Sequence, residues 1–292
     1  MRDRSALAIT AILVVLNVVH AAETRKTAIA HRGASGYAPE HTAAAYRLAM
    51  QQGADFVEPD LAVTKDNVLI CLHDDSLART TNVAEVFPER AKGLANDFTI
   101  ADIKRLDAGK WFKPEFAGQK VQTFQEAIDL VRGKAGLYPE LKSPELYKSR
   151  GVDQVKLFVD LIHANGLEKP ESLKTTPIII QSFDETAIRR VARELPTIPR
   201  VLLVERDGDV SETRLREMRS FATGVAPEKS LVARHPELVA QAHALGLTVT
   251  CWTFRTDERT TLQQVRDEMA TYLYKYGIDA LFTNNPDQFP RR

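Results

Sequence analysis

The chain has 292 residues, with 39 basic and 39 acidic side chains and a formal net charge of zero. A general nucleic-acid binder needs a basic stripe to displace counterions from phosphates, and the charge balance argues against that class. The length suits one large domain or two small ones, and α/β barrels fill it as a single unit.

The first residues read as a secretory signal peptide. Arg2 and Arg4 form a charged n-region, and Ala6 to Val19 is an apolar stretch of h-region length. Val19-His20-Ala21 then offers small residues where a signal peptidase needs them, so cleavage is expected after Ala21. The apolar run falls short of the roughly twenty residues a spanning helix requires. The mature chain, residues 22–292, is therefore expected to be periplasmic or secreted, without stable membrane insertion.

From Thr27 onward, apolar and often β-branched runs recur. They lie at Ala28-Ile29-Ala30, Phe56-Val57, Val68 to Leu72, Gly136 to Leu141, Ile178 to Phe183, Val201 to Val204, Ala222 to Ala226, Leu247 to Phe254 and Ala280 to Thr283. Amphipathic helices are predicted between most of them. Thr42 caps one that Gly53 stops. Thr123 and Glu126 form a capping box for a second, Val152 to Ile162 mark a third, Asp184 begins a fourth, and Leu238 to Leu245 form a fifth. Short buried strands alternating with helices imply a parallel sheet. The Lys65-Asp66-Asn67 turn is too short for a parallel crossover, so the second and third runs should form a hairpin-like extension. Counting those two as one position leaves eight strand–helix units, which predicts a (β/α)8 TIM barrel.

Residues 76–122 break the rhythm. They carry Phe87, Phe98, Trp111, Phe112 and Phe116, no clean strand, and one short helix capped by Thr99. This is the expected insertion after the second barrel strand, an excursion over the mouth that either shapes the pocket or only stabilises it. Cys71 and Cys251 are the only cysteines and sit in separate strand-like runs. Export permits a bridge between them, whereas two buried free thiols fit their apolar settings better.

The chemistry-bearing residues cluster early. Glu58 and Asp60 alternate on a strand and so face the same way, and Glu140 ends the next barrel strand. Carboxylates that close repel unless a cation sits between them, and hard oxygen donors suit Ca2+ or Mg2+ rather than zinc. His31 and His73 each follow an apolar run and precede a charged residue, as an acid–base pair would. Arg32 and Lys142 supply positive charge for a phosphodiester. Phe183 and Trp252, near strand ends, are candidates to wall off the non-reacting part of a substrate. His163, His235 and His243 read as surface positions, and His41, at a helix start, is assigned no catalytic role.

Taken together, these motifs carry a resemblance. His31-Arg32-Gly33-Ala34-Ser35-Gly36, Pro39-Glu40-His41-Thr42, Glu58-Pro59-Asp60, Thr64-Lys65-Asp66, His73-Asp74, Thr80-Thr81-Asn82, Glu140-Leu141-Lys142 and Thr283-Asn284-Asn285-Pro286-Asp287 resemble, in order, the glycerophosphodiester phosphodiesterase family, and most of all its exported, calcium-dependent bacterial type. The resemblance implies a TIM barrel that cleaves glycerophosphodiesters, small-molecule substrates, to sn-glycerol 3-phosphate and an alcohol. It implies that Glu58, Asp60 and Glu140 hold one divalent cation, Ca2+ in preference to Mg2+, that His31 and His73 are the acid–base pair, and that Arg32 contacts phosphate. Glu40 would orient the His31 loop. The metal would bridge a phosphate oxygen and a glycerol hydroxyl. Two departures stand out: the family often has Asn where His41 stands, and commonly ends its last motif Thr-Asp where this chain has Thr283-Asn284. The rival readings are a related phospholipase D or sphingomyelinase D barrel acting on intact lipid, and a non-catalytic binding protein on a decayed barrel. No oligomeric state is implied.

Overall fold

The computed structural model describes residues 25–291, so the signal-peptide reading of residues 1–21 lies outside the described residues. All nine predicted runs carry strands: β1 (Thr27–His31), β2 (Phe56–Glu58), β3 (Asp60–Val63), β4 (Leu69–Cys71), β5 (Gly136–Leu137), β6 (Glu140–Leu141), β7 (Ile180–Ser182), β8 (Arg200–Val204), β9 (Gly224–Pro227), β10 (Thr248–Phe254) and β11 (Ala280–Thr283). The Gly136 to Leu141 run splits in two, and the Phe56-Val57 run is followed by a further strand, β3, that it did not include, both for the same reason. Pro59 and Pro139 lack the N–H a ladder requires, although their carbonyls still accept from Glu140 N and Gln181 N.

Joined across those prolines, β2 with β3 and β5 with β6 each occupy one barrel position. β1 pairs with β2 on one side and with β11 on the other, all parallel, and the remaining positions follow in chain order, so the sheet closes as a (β/α)8 barrel. β4 lies outside the ring and pairs antiparallel with β3, Leu61 opposite Cys71 and Val63 opposite Leu69, which is the hairpin the short turn predicts. Asn67 takes the left-handed conformation in that turn, φ 62°, as asparagine does readily.

Helices start where their capping side chains predict. Thr42 accepts from Ala45 N before the helix Ala43–Gln51, Thr123 forms its capping box before Phe124–Val131, and Asp184 accepts from Ala187 N before Glu185–Glu194. The third and fifth predicted helices span Gln154–Ala164 and Glu237–Ala244. The helix Leu262–Ala270, opened by a Thr261–Gln264 capping box, was not anticipated. Its apolar content is sparse, and only Val265 and Met269 are buried.

Ile29, Phe56, Tyr138, Val201, Leu203, Ala226, Ala280 and Phe282 fill the barrel interior, and their strand neighbours, such as Ala28, Leu202 and Leu281, pack outward against helices. Tyr138 meets Phe282 and Phe56 edge-on, with ring centroids 5.1 and 5.9 Å apart. This plug closes the barrel below the mouth. Residues 76–122 hold more local structure than expected: a helical turn at Val83–Val86 besides Ile100–Ile103, and three 3₁₀ turns. Phe87 packs against Phe98 at a tilt, with Arg90 over both, while Trp111, Phe112 and Phe116 form a second aromatic chain. Cys71 and Cys251 are buried free thiols. No helix among the described residues is long and apolar enough to cross a membrane.

Candidate active site

The C-terminal ends of the strands surround a cavity of about 630 Å3, lined on one side by His31, Arg32, Glu58, His73, Glu140 and Lys142 and on the other by Phe183, Glu228, Trp252 and Arg255. Barrel geometry explains the convergence. His31 and Glu58 are register partners on adjacent strands, Asp60 pairs with Glu140, and Glu140 pairs with Gln181. One carboxylate oxygen from each of Glu58, Asp60 and Glu140 lies within 4.8 Å of the others, and all three residues are buried.

Three buried anions so close cannot all stay ionised without compensation. Burial, then the charges of Asp60 and Glu140, pushes the Glu58 carboxyl well above its ordinary range. Burial and the Asp60 charge push Glu140 up to about 8. Asp60 goes the other way: burial opposes its ionisation, but the His41 hydrogen bond and the Arg32 charge hold it well below the usual carboxylate range. The donor set is all hard oxygen, and bare it is electrostatically strained, so it fits a divalent cation such as Ca2+ or Mg2+.

The surroundings hold these groups in place. Arg32 N donates to Glu58 Oε2 at 2.8 Å, while Arg32 Nη1 donates to Glu40 at 3.1 Å and Nε sits 3.3 Å from Asp60. Lys142 Nζ lies 3.3 Å from Glu140. His31 Nδ1 is 2.8 Å from Asn284 Oδ1, and His73 Nδ1 is 2.7 Å from Asp74. Asn284, in the Thr-Asn departure, thus holds His31 with an amide oxygen. Burial, with Arg32 beside it, lowers the His31 imidazole to about 3; burial also lowers His73. Phe183 and Trp252 meet edge to face at 5.5 Å, and Trp252 Nε1 donates to Ala226 O.

Arg32, His41 and Ser143 all have positive φ, 58°, 59° and 48°. Left-handed backbone costs an L-residue roughly 1–2 kcal/mol, and here it turns the chain at each edge of the charged cluster. Gly33, at φ 82°, leaves room where a Cβ would stand 2.7 Å from the Ala45 backbone, so the loop after β1 can press onto its helix.

All the residues singled out for catalysis, metal and phosphate line this cavity or touch those that do. Four others surround them. His41, set aside as a helix start, is buried, with Nε2 2.9 Å from Asp60 and Nδ1 3.0 Å from the Tyr46 hydroxyl. Gln181 Nε2 lies 3.3 Å from Glu58, and its buried Oε1 has no protein partner. A polar residue inside the apolar run Ile178 to Phe183 was its signal. Asn284 and Arg79 complete the group. No side chain of residues 76–122 is among those lining the cavity, and the aromatics of the excursion pack on one another, which accords with the stabilising of the two roles left open for it. Among the described residues, Arg79 is the side chain of the excursion that meets Asp74 and Glu40 beside the cavity. The other histidines among the described residues lie at the surface and are paired: His163 with Glu168, His235 with Asp207, and His243 with Asp279.

Fold and site together define a barrel enzyme of phosphate-ester chemistry. Residues 31–288 match the model of the glycerophosphoryl diester phosphodiesterase family. A Bacillus subtilis glycerophosphodiester phosphodiesterase is 35% identical over 271 residues, covering 89% of this chain and 84% of the relative. One from Caldanaerobacter subterraneus is 32% identical, covering 89% and 94%. Among solved structures, an Oleispira antarctica phosphodiesterase in complex with the product sn-glycerol-3-phosphate superposes with a TM-score of 0.73 at 27% identity, covering 90% of this chain and 95% of that one. The chain belongs to the glycerophosphoryl diester phosphodiesterase family and is an enzyme, a phosphoric diester hydrolase of that class.

Proposed function

We propose that this enzyme hydrolyses glycerophosphodiesters to sn-glycerol 3-phosphate and an alcohol, with Glu58, Asp60 and Glu140 holding one divalent cation, Ca2+ in preference to Mg2+. The observation that carries this reading is the meeting of three buried carboxylates and two imidazoles around one open cavity. The product complex of the Oleispira relative supports the substrate class.

When bound, the cation supplies positive charge against the phosphate and acidifies a hydroxyl within its reach. The protein's own groups do the rest. Asn284 offers His31 a neutral acceptor, so Nδ1 keeps its proton and Nε2 is the nitrogen left to take one from the attacking hydroxyl or water. His73 is the group assigned to give a proton to the departing alkoxide, and anionic Asp74 on its Nδ1 supports the imidazolium against the burial that favours the neutral ring. Arg32 and Lys142 bring positive charge to the non-bridging oxygens. Phe183 and Trp252 wall the part of the substrate that does not react. The signal-like sequence of residues 1–21 supports a periplasmic or secreted location, which N-terminal sequencing of the processed protein tests.

The test is release of sn-glycerol 3-phosphate from glycerophosphocholine, before and after chelation, with Ca2+ or Mg2+ added back. Loss on chelation and recovery with Ca2+ is the expected result. Activity indifferent to chelation removes the cation, and preference for intact phospholipid replaces the substrate class.

A further inference from the structure

We propose that Arg79 is a positioning residue that fixes two active-site groups at once, His73 through Asp74 and Arg32 through Glu40. The inference rests on the roles proposed above for His73 and Arg32. The Arg79 guanidinium lies between two carboxylates and grips both. Nε donates to Asp74 Oδ2 at 2.6 Å, and Nη2 donates to Asp74 Oδ1 at 3.0 Å and to Glu40 Oε1 at 2.7 Å. Nη1 donates to Glu40 Oε2 at 2.9 Å. Each carboxylate then spends a remaining lone pair on the site, Asp74 on His73 Nδ1 at 2.7 Å and Glu40 on Arg32 Nη1 at 3.1 Å. The result is one continuous run of charge-assisted contacts from His73 to Arg32.

The three residues that meet here come from separate stretches. Glu40 lies in the loop after β1, Asp74 follows β4, and Arg79 belongs to the excursion. Arg79 is flanked by buried anchors: Leu77, Thr80 and Thr81 are buried, and Thr81 Oγ1 donates to Leu77 O at 2.6 Å. Most exposed ion pairs contribute little, because two mobile side chains must be held together for one screened contact. This contact differs in geometry. A planar fork satisfies two carboxylates that would otherwise repel each other and swing apart, carrying His73 and Arg32 with them. A lysine ammonium is a point charge and cannot grip both in that way.

The test compares wild type with Arg79→Ala and Arg79→Lys, each also combined with Asp74→Ala or Glu40→Ala. Four quantities are read: kcat and KM on glycerophosphocholine, calorimetric binding of sn-glycerol 3-phosphate, and Tm. Arg79→Ala is expected to lower kcat by about 10–100-fold, the usual range for a partner that orients a functional group. It should also weaken sn-glycerol 3-phosphate by about fivefold. Arg79→Lys should restore Tm and little of the turnover. With Asp74→Ala already present, removing Arg79 should cost little further kcat yet still weaken binding; with Glu40→Ala present, the reverse. Should Arg79→Ala not fold, Arg79→Gln takes its place. Unchanged kcat and binding, full rescue by lysine, or simple additivity of the double variants would overturn the proposal while wild-type turnover leaves the assigned activity standing. A wild type that releases no sn-glycerol 3-phosphate takes down the assigned activity, and the Arg79 proposal with it.

Discussion

The two ends of the barrel use the same side chain in opposite ways. At the N-terminal ends of the strands, Asp55 accepts from Ala28 N at 2.8 Å and is paired with Arg25 and Arg291. Asp279 likewise accepts from Val249 N at 2.8 Å and from His243. Each of these carboxylates pairs with a basic side chain and closes off a backbone donor at the start of a strand. At the C-terminal ends, Glu58, Asp60 and Glu140 are crowded within reach of one another, and two of them are driven toward the neutral form. An acid that satisfies a backbone group stabilises the barrel. Acids that strain against each other are held there for chemistry, as the division of labour in such barrels leads one to expect.

The contrast breaks first if the mouth can be altered without loss of rate. His31→Ala or His73→Ala should reduce turnover by about a hundred- to ten-thousand-fold, with the circular-dichroism spectrum and Tm close to wild type. Near-normal turnover in either variant would remove the imidazoles from the mechanism.

His41→Ala is the next step down. The His41 imidazole is tied to the site through Asp60, so its removal should lower activity and cation affinity by about 10–100-fold, the range seen for groups that orient a ligand. Calorimetric Ca2+ titration of the variant checks this, and wild-type affinity would leave His41 a core residue and nothing more. At the opposite end the effect changes kind. Asp55→Ala strands the buried Ala28 N–H and should cost about 1–3 kcal/mol of stability by denaturant unfolding, with kcat and KM unmoved.

The barrel was legible in the sequence because its strands are short buried runs and several of its helices open with Thr or Asp caps. The Leu262–Ala270 helix hid because its apolar stripe is thin, Leu262, Val265 and Met269 among mostly polar residues. The acids and imidazoles were legible too, since charged groups at the ends of apolar runs are costly unless used. Of their supporting groups Glu40 was named, through the resemblance, and the others were not. Nothing local marks His41 as a partner of Asp60, nineteen positions on, or joins Arg79 to Glu40, thirty-nine positions back, because those pairings exist only once the barrel has closed. The role of the excursion was left open in the sequence for a related reason: its aromatics read equally as lining or as local packing, and in the fold they pack on one another.

The smallest expected effect concerns acid, and it isolates the Arg79 network from the rest of the mouth. Burial works against ionising Glu40, but the Arg79 hydrogen bonds and the Arg32 charge outweigh it and hold the carboxyl at about 2, against an ordinary 4.5. The Arg79 hydrogen bonds hold Asp74 at about 2, against 3.8. Between about pH 2 and pH 4.5 the unfolded chain therefore binds more protons at these two positions than the native state does, and stability must rise with pH across that window. The contribution is complete above about pH 5 and is lost as pH falls through about 2. Removing Arg79 takes away the interaction that most lowers both groups, so Tm should fall less steeply with acidification in Arg79→Ala than in wild type. Asp55→Ala should start from a lower Tm and keep the wild-type slope in this respect, because the carboxylate it deletes has no contact with Glu40, Asp74 or Arg79. Parallel curves for wild type and Arg79→Ala from pH 6 to pH 2.5 would mean that the guanidinium does not hold these carboxylates ionised, and that the mouth network resists acid no differently from the barrel floor.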